Sequence, residues 1–438
     1  MRAESTAGLR ALVRRLREEA ERPAKRGALF IAPTDFERLR LKGTHTMIQE
    51  RDESGFFDRI VTFHPMNGAW KTHRLNPTNT VYEFGQSFVP GPGAWKFFRL
   101  LQVPLHLLFI LSAALYLARC GVFNLIRATD PYWTGLLAWA VSSMTGIPFC
   151  ISIHSDYDKC LVLDPERGAP RVLRSRRLAK WLEHFVLRRA QNVMPISAYV
   201  AKSALTNGAH QDAIRLIPHG IDLELFSRPK AGDQDKLGLP DDRLIISFVA
   251  RFSKHKFVFD ALELARRLHR NRDDFVMVMV GSGEEEGPVM DTVQSEGLGD
   301  CVRVLGFQPR DVVAAVRRNS AVSLCLLDGF SLIEACAAGR PVVAYDVEWH
   351  SELLEPGTTG FLVPEGDVEA LTDRVNWVLD HPTEAARMGT EARRRAVQRH
   401  GLDTASQRRR SHYSEMLATP PKQRSKPLSG TTPFNVCF

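Results

Sequence analysis

The 438-residue chain has few cysteines and no paired-cysteine motif. Its seven cysteines contain no CxxC pair and mostly lie inside apolar runs, so they are expected to be buried thiols. This pattern disfavours structural zinc and favours a reducing cytosol. The N-terminus has no charged segment followed by an apolar core, so we expect no secretory signal.

The sequence also lacks a long uninterrupted hydrophobic run. The most apolar stretch, residues 100–118, is broken by polar residues and Pro104, and its apolar part from Leu107 is too short for a hydrocarbon core of about 30 Å. We therefore expect a buried or interfacial helix there.

Residues 5–22 place leucines at helical spacing among arginines, with Pro23 soon after. This basic amphipathic helix either docks on the protein body or anchors it to anionic lipid head groups.

The remaining composition is that of a globular protein. Hydrophobic residues make up 44% of the chain and charged residues 25%, and the length suits two or three domains. The net charge of +8 favours anionic partners such as phosphates or acidic lipids. We expect no nucleic-acid binding, because the basic residues do not cluster with aromatic residues in a recognisable module.

Short apolar strands alternate with helical segments in two series, which predicts an α/β protein with two doubly wound parallel-sheet domains. The expected strands are residues 28–32, 60–63, 80–84, 123–127, 149–154 and 192–196, then 244–250, 275–281, 302–306, 321–326 and 341–345. The expected units are an N-terminal helix at 1–26, a first domain at 27–216, a linker at 217–242, a second domain at 243–400, a helix at 401–417 that could cross back, and a disordered tail at 418–438.

Two cations follow the first strand of the second series. Arg251 comes directly after this strand, and Lys256 precedes the next helical segment. Ligands of open α/β sheets collect beyond the carboxyl ends of the strands, where helix N-termini add backbone N–H donors. The two cations therefore suit a diphosphate, with a pair of solvated loop cations as the alternative.

Two glycine-containing turns follow later strands. Gly281-Ser-Gly283 permits either the close approach of a ligand or a tight turn. Gly329 and Ser331 would open a small-residue helix toward a phosphate, and Glu334 could accept hydrogen bonds from ribose hydroxyls. For Ser331 and Glu334 the alternative is a helix capping box.

Several segments between residues 120 and 400 match one family in their order and spacing. They are Arg251 with Lys256, Gly281-Ser-Gly283, Val302-Arg-Val-Leu-Gly-Phe307, residues 329–343, Thr359-Gly-Phe-Leu-Val-Pro364 before Gly366-Asp367, Ile217-Pro-His-Gly-Ile-Asp222 with Phe226, Ser197, and His154 after Ile153. Through these segments the chain resembles the retaining glycosyltransferases of family 4. In that family two Rossmann-like domains face a cleft, in the arrangement called GT-B.

The resemblance implies roles for the matching residues. Arg251 and Lys256 would hold the donor diphosphate, and His154 would lie across the cleft beside the transferred sugar; these three are the catalytic candidates. The implied donor-binding residues are Gly281, Gly283, Phe307, Gln308, Asp328, Gly329, Phe330, Ser331, Leu332 and Glu334. Among them, Glu334 would contact the ribose and residues near Phe307 the nucleobase.

The sequence departs from the family pattern at two places. The paired glutamates of the family stand eight positions apart, and the residue eight positions before Glu334 is Leu326. The carboxylate that usually meets the donor sugar is thus absent, although Asp328 lies two residues nearer. Phe257 stands where a glycine commonly follows the lysine, which would alter the approach of that loop to the phosphates.

A competing signal is Asp156-Tyr-Asp158, which has the spacing of the metal-binding DxD motif of single-domain glycosyltransferases. Alternate carboxylates can clamp a divalent ion on a diphosphate. Arg251 and Lys256 already supply positive charge, so we expect acceptor-side or structural roles for these aspartates. No divalent metal or other cofactor is expected to be required.

The predicted function is the transfer of a sugar from a nucleotide-diphosphate sugar to an acceptor hydroxyl, with retention of configuration. The expected acceptor is a glycan or lipid-linked saccharide of polysaccharide or glycolipid biosynthesis. The expected location is the cytoplasm, with peripheral binding to an anionic inner membrane face as a further hypothesis. The alternatives are another GT-B enzyme, such as a nucleotide-sugar epimerase or a sugar phosphorylase, and a non-catalytic binding protein of the same fold.

Overall fold

A computed structural model of the chain describes residues 2–33, 36–41, 55–67, 69–85, 96–163, 170, 175–227, 230, 232–233, 237–238, 242–327 and 329–418. Asp328 and, apart from residue 418, the predicted tail lie outside the described residues.

The first of two sheets has seven strands. They are β1 (Gly27–Ile31), β2 (Arg59–Asn67), β3 (Lys71–Arg74), β4 (Asn79–Gly85), β5 (Leu125–Ala128), β6 (Phe149–Ile153) and β7 (Val193–Pro195). They lie in the order β3-β4-β2-β1-β5-β6-β7, and only β3 runs antiparallel to its neighbour. β1 and β4 are buried along their whole length, as expected of a sheet with both faces covered.

The second sheet has six parallel strands. They are β8 (Leu244–Val249), β9 (Phe275–Val280), β10 (Val302–Gly306), β11 (Ser320–Cys325), β12 (Val342–Tyr345) and β13 (Phe361–Val363). Their order is β10-β9-β8-β11-β12-β13, so the direction of winding reverses between β8 and β11. The predicted fold class, two doubly wound parallel-sheet units, is thereby confirmed.

Helices cover the sheets. In the described residues they are α1 (Arg2–Ala20), α2 (Phe36–Leu41), α3 (Lys96–Arg119), α4 (Trp133–Thr145), α5 (Tyr157–Leu163), α6 (Arg176–Leu187), α7 (Ala198–Thr206), α8 (Val258–His269), α9 (Glu286–Ser295), α10 (Arg310–Asn319), α11 (Phe330–Ala337), α12 (His350–Leu353), α13 (Val368–Asp380), α14 (Pro382–His400) and α15 (Leu402–Ala418). Short 3₁₀ turns lie at Gln211–Ala213, Glu224–Phe226, Lys254–Lys256 and Leu298–Asp300.

The segment between the sheets and the last helix connect the two halves. The Ile221 amide donates to the carbonyl of His400 (3.0 Å), and the Phe226 side chain is fully buried in the core beneath the second sheet. Tyr413 of α15 is fully buried against the first sheet, where Arg127 Nη1 donates to its hydroxyl (2.6 Å). The last described helix, α15, therefore crosses back from the second half to the first.

One strand was not predicted from the sequence, and the structure decides two interpretations that the sequence left open. β3 was not predicted, because its KTHR sequence has no apolar alternation. Residues 100–118 lie within a longer helix, α3, and no helix of the described residues is long and apolar enough to cross a membrane. In α1, Leu12 and Leu16 are buried against α3 and β3, so this helix docks on the body.

Candidate active site

The candidate site lies where the second sheet reverses its winding. Arg251 and Lys256 follow β8, and Gly329 follows the neighbouring strand β11. Lys256 Nζ donates to the carbonyl of Leu327 (2.5 Å), which joins the two loops. Arg251 is largely exposed and pairs with Glu284 beyond β9 (2.9 Å). Both cations thus line the crevice in which open α/β sheets bind ligands.

The glycine turn after β9 supports the loop that carries Arg251. A Cβ atom at Gly281 would lie 1.8 Å from the Ala250 carbonyl oxygen, and one at Gly283 would lie 2.2 Å from that of Phe252. Gly281 also has a φ of +145°. The close approach that these glycines permit is therefore one between two protein loops.

The N-terminus of α11 faces the same crevice, and its first residues are held by internal contacts. The Ser331 hydroxyl donates to the carbonyl of Val249 at the end of β8 (2.6 Å) and accepts from Arg317. Leu332 is fully buried, so it can offer a ligand only its backbone N–H. The helix begins after Gly329 without a side-chain cap, so the capping-box alternative for Ser331 and Glu334 is wrong.

The two positions of the family's paired glutamates have different surroundings here. Leu326 is fully buried in the apolar core of the second sheet, so its side chain does not reach the crevice. Glu334 keeps a small exposed fraction and pairs with Arg310 (3.3 Å). Only the second of the two positions therefore presents a carboxylate near the crevice.

Two aromatic residues shape the loops around the cations. Phe307 follows β10 and is 60% exposed, while the neighbouring Gln308 Nε2 donates to the carbonyl of Leu305 (2.6 Å). Phe257 adopts a left-handed backbone conformation, with φ of +55°, and packs edge-on against Tyr345. That conformation explains why a glycine would be unstrained at position 257.

A stack of rings connects the first sheet to α11. His154, which follows β6, lies parallel to His219 of the connecting segment, with His154 Nδ1 3.5 Å from His219 Nε2. The ring of His219 also lies 4.4 Å, centroid to centroid, from that of Phe330, the first residue of α11. Burial, and then the neighbouring His154, holds the pKa of His219 well below its usual range, so His219 is neutral near pH 7.

The aspartates of the DxD spacing are engaged with protein groups. Asp156 accepts from the amides of Asp158 (3.0 Å) and Lys159 (3.2 Å), and from the hydroxyl of Tyr199 (3.1 Å). Asp158 pairs with Arg176 (2.8 Å) and with Lys180. Asp156 thus caps α5 while Asp158 neutralises cations of α6, an arrangement that favours the structural alternative.

Solved structures share this architecture. Sucrose-phosphate synthase from Thermosynechococcus elongatus superposes with a TM-score of 0.72 at 20% identity, covering 90% of this chain and all of the other. Anabaena Alr3699/HepE in complex with UDP-glucose gives a TM-score of 0.65 at 18% identity, covering 89% of this chain and 99% of the other. At these low identities the two superpositions show a shared fold.

Sequence comparison covers both halves of the chain. The family model "Glycosyltransferase Family 4" matches residues 73–225, and "Glycosyl transferases group 1" matches residues 230–395. The alpha-D-kanosaminyltransferase of Streptomyces kanamyceticus is 27% identical over 292 residues, which cover 64% of this chain and 73% of the relative. The chain belongs to the GT-B glycosyltransferases. As a glycosyltransferase it is an enzyme that transfers sugars, which confirms the prediction of sugar transfer.

The crevice of this glycosyltransferase contains a carboxylate that sequence reasoning missed. Glu348, beyond β12, has a left-handed backbone conformation with φ of +49°. Burial is the main cause of its raised pKa, and Lys256 opposes that effect while Asp156 reinforces it. Glu348 thus interacts electrostatically with the lysine loop of the second half and with Asp156 of the first. No motif marked it; only its conformation and these long-range neighbours reveal it.

Proposed function

We propose that this glycosyltransferase binds a nucleotide-diphosphate sugar in the crevice between β8 and β11 and transfers the sugar with retention of configuration. One observation carries the proposal: Arg251, Lys256 and the first amides of α11 converge on the crevice at the winding reversal. A diphosphate is the leaving group whose growing negative charge such donors stabilise best. The known complex of the Anabaena neighbour with UDP-glucose supports a nucleotide donor.

In this mechanism each remaining group has a defined task. Arg251 and Lys256 bind the diphosphate oxygens, and Glu334 accepts from the ribose hydroxyls. Phe307 offers an exposed ring to the nucleobase. His154 lies on the first-sheet side of the crevice, where it would hydrogen-bond near the reacting carbon. The acceptor hydroxyl attacks on the face that the diphosphate leaves, and the departing phosphate takes up its proton.

Binding of the donor is tested by a thermal-shift screen with UDP, GDP, ADP and their common sugar conjugates. We expect one nucleotide to raise the melting temperature, since a ligand at 100 times its Kd stabilises the native state by about 2.7 kcal/mol. Arg251→Ala is expected to abolish that shift. Arg270→Ala, which removes an exposed arginine at the end of α8, is the matched control and is expected to retain it. Absence of a shift with every nucleotide would contradict the proposal.

Catalysis without a required divalent metal is the second expectation. Asp156 and Asp158 are engaged in a helix cap and in ion pairs, and the cationic side chains of the crevice supply the charge that a metal would contribute. We expect the initial rate of sugar transfer to be equal in EDTA and in Mg²⁺. A rate that is lost in EDTA and restored by Mg²⁺ or Mn²⁺ would show that a metal is needed.

We further propose that the enzyme is cytoplasmic and docks on anionic membranes through α1 and α3, toward a lipid-linked or polysaccharide acceptor. The two helices pack side by side. Arg10 and Arg14 of α1 are exposed, and so are Leu105 (54%) and Leu108 (57%) of α3. Exposed cations on one helix and exposed apolar side chains on the helix packed against it suit a surface of anionic head groups.

Flotation with liposomes tests this docking. We expect the full chain to float with phosphatidylglycerol liposomes, and the Leu105→Ser/Leu108→Ser variant to remain in the dense fraction. The control is Met290→Ser, which removes an equally exposed apolar side chain from α9 in the second half. Flotation that is equal for the wild type and the α3 variant would remove the support for this surface.

A further inference from the structure

A buried arginine lies behind the N-terminus of α11. Arg317 belongs to the last turn of α10, and its side chain is 0% exposed. Its Nη2 donates to the hydroxyl of Ser331 and to the Ser331 carbonyl (3.3 Å), so the guanidinium reaches the first turn of α11. Among the described residues, its Nε and Nη1 atoms have no hydrogen-bond partner.

The burial of this charge is electrostatically unfavourable. Arg317 carries a cationic guanidinium group, and no carboxylate in the described part of the chain pairs with it. Other residues of α10 and α11, among them Ala314, Leu332 and Cys336, are buried in an apolar cluster. The positive end of the α11 dipole repels this cation, whereas the carboxyl end of its own helix α10 attracts it. Within the described part of the chain this buried cation thus has no carboxylate counter-charge, which is an energetically costly arrangement.

Its neighbour in the sequence shows that this cost is not a general feature of α10. Arg318 is equally buried, but Asp233 accepts from its Nε (2.9 Å) and Nη2 (2.6 Å). Of two adjacent buried arginines, one has a carboxylate partner and the other has none among the residues that the structure describes. Arg317, the arginine without a carboxylate partner among the described residues, is the one that contacts α11.

We propose that Arg317 is a positioning residue for the donor: its buried charge and the first amides of α11 together attract the diphosphate, which supplies the missing counter-charge. The inference rests on the proposed function, since it assumes a diphosphate at this helix end. Arg317 acts through Ser331 and the helix backbone, without touching the ligand. The affinity for a nucleoside, which has no phosphates, therefore does not depend on the charge of Arg317.

Calorimetric titration of the full-length protein with UDP, GDP, ADP and the matching nucleosides tests the inference. In Arg317→Met, which replaces the charge by an apolar side chain of similar length, we expect the Kd of the bound diphosphate to rise about tenfold. The Kd of the nucleoside should stay the same. The melting temperature of the unliganded variant should be equal or higher, because removal of a buried unpaired charge relieves the native state.

Arg340→Met is the matched control, because Arg340 is a half-buried arginine beyond the opposite end of α11 whose Nε donates to a backbone carbonyl. It should leave the diphosphate affinity unchanged. If Arg317→Met fails to fold, Arg317→Gln replaces it as the uncharged variant. An unchanged diphosphate Kd in a folded variant, or an equal loss for nucleoside and diphosphate, overturns the inference while the proposed function stands. No diphosphate binding by the wild type overturns both.

Discussion

Replacement of Lys256 by alanine is expected to lower kcat by about 10² to 10³, equivalent to about 2.7–4 kcal/mol of transition-state stabilisation. Its ammonium group is fixed by the Leu327 carbonyl at the end of β11, so it needs no reorganisation as the diphosphate departs. The charge on the leaving group is larger in the transition state than in the bound donor. The KM for the donor should therefore rise by a smaller factor than that by which kcat falls. Steady-state kinetics at saturating acceptor measure both constants.

Lys254 provides the control for this experiment. It lies in the same 3₁₀ turn as Lys256, but its side chain is exposed. Lys254→Ala removes an equal charge from the same loop and is expected to retain the wild-type kcat. If the two variants have the same kcat, the lysine loop acts only through its general field and Lys256 has no specific role at the leaving group.

Much of the fold is predictable from the sequence because buried parallel strands have a strong local signal. The FVMVMV run of β9 is apolar at every position, and the structure buries all of it. β3 has no such signal, since its KTHR sequence is placed by pairing with β4 and by contact with α1. Elements stabilised by a neighbour instead of by their own periodicity are the ones that a sequence pattern misses.

The same distinction applies to the site. Arg251, Lys256 and Glu334 stand out in the sequence because a strand or a motif precedes each of them. Arg317 and Glu348 do not, because the burial of one and the left-handed backbone of the other arise from contacts between distant segments. At Ser331 the spacing leaves a helix cap as an alternative, but the hydroxyl donates instead to the carbonyl of Val249 at the end of β8.

Asp233→Ala is expected to lower the free energy of unfolding by about 3–5 kcal/mol, because it leaves Arg318 buried without a counter-charge. Both side chains of this pair are nearly inaccessible, at 4% and 2% exposure. The additional replacement Arg318→Met should recover most of the loss, since an apolar pair tolerates burial. Arg15→Gln, which breaks an exposed ion pair with Glu18, should cost less than about 1 kcal/mol. Urea denaturation measures all four proteins.

The pH dependence of the difference in unfolding free energy between wild type and Asp233→Ala distinguishes stabilisation by the charge of Asp233 from stabilisation by packing. Burial tends to raise the pKa of Asp233, but its hydrogen bonds with Arg318 outweigh burial and hold the pKa below its usual value of 3.8. A carboxyl group with a depressed pKa in the folded state stabilises fully above its unfolded pKa, and the stabilisation is lost as the pH falls through the folded pKa. The difference between wild type and Asp233→Ala should thus be full at neutral pH and shrink in strong acid. A difference that stays constant into strong acid would mean that Asp233 stabilises the protein by packing and not by its charge.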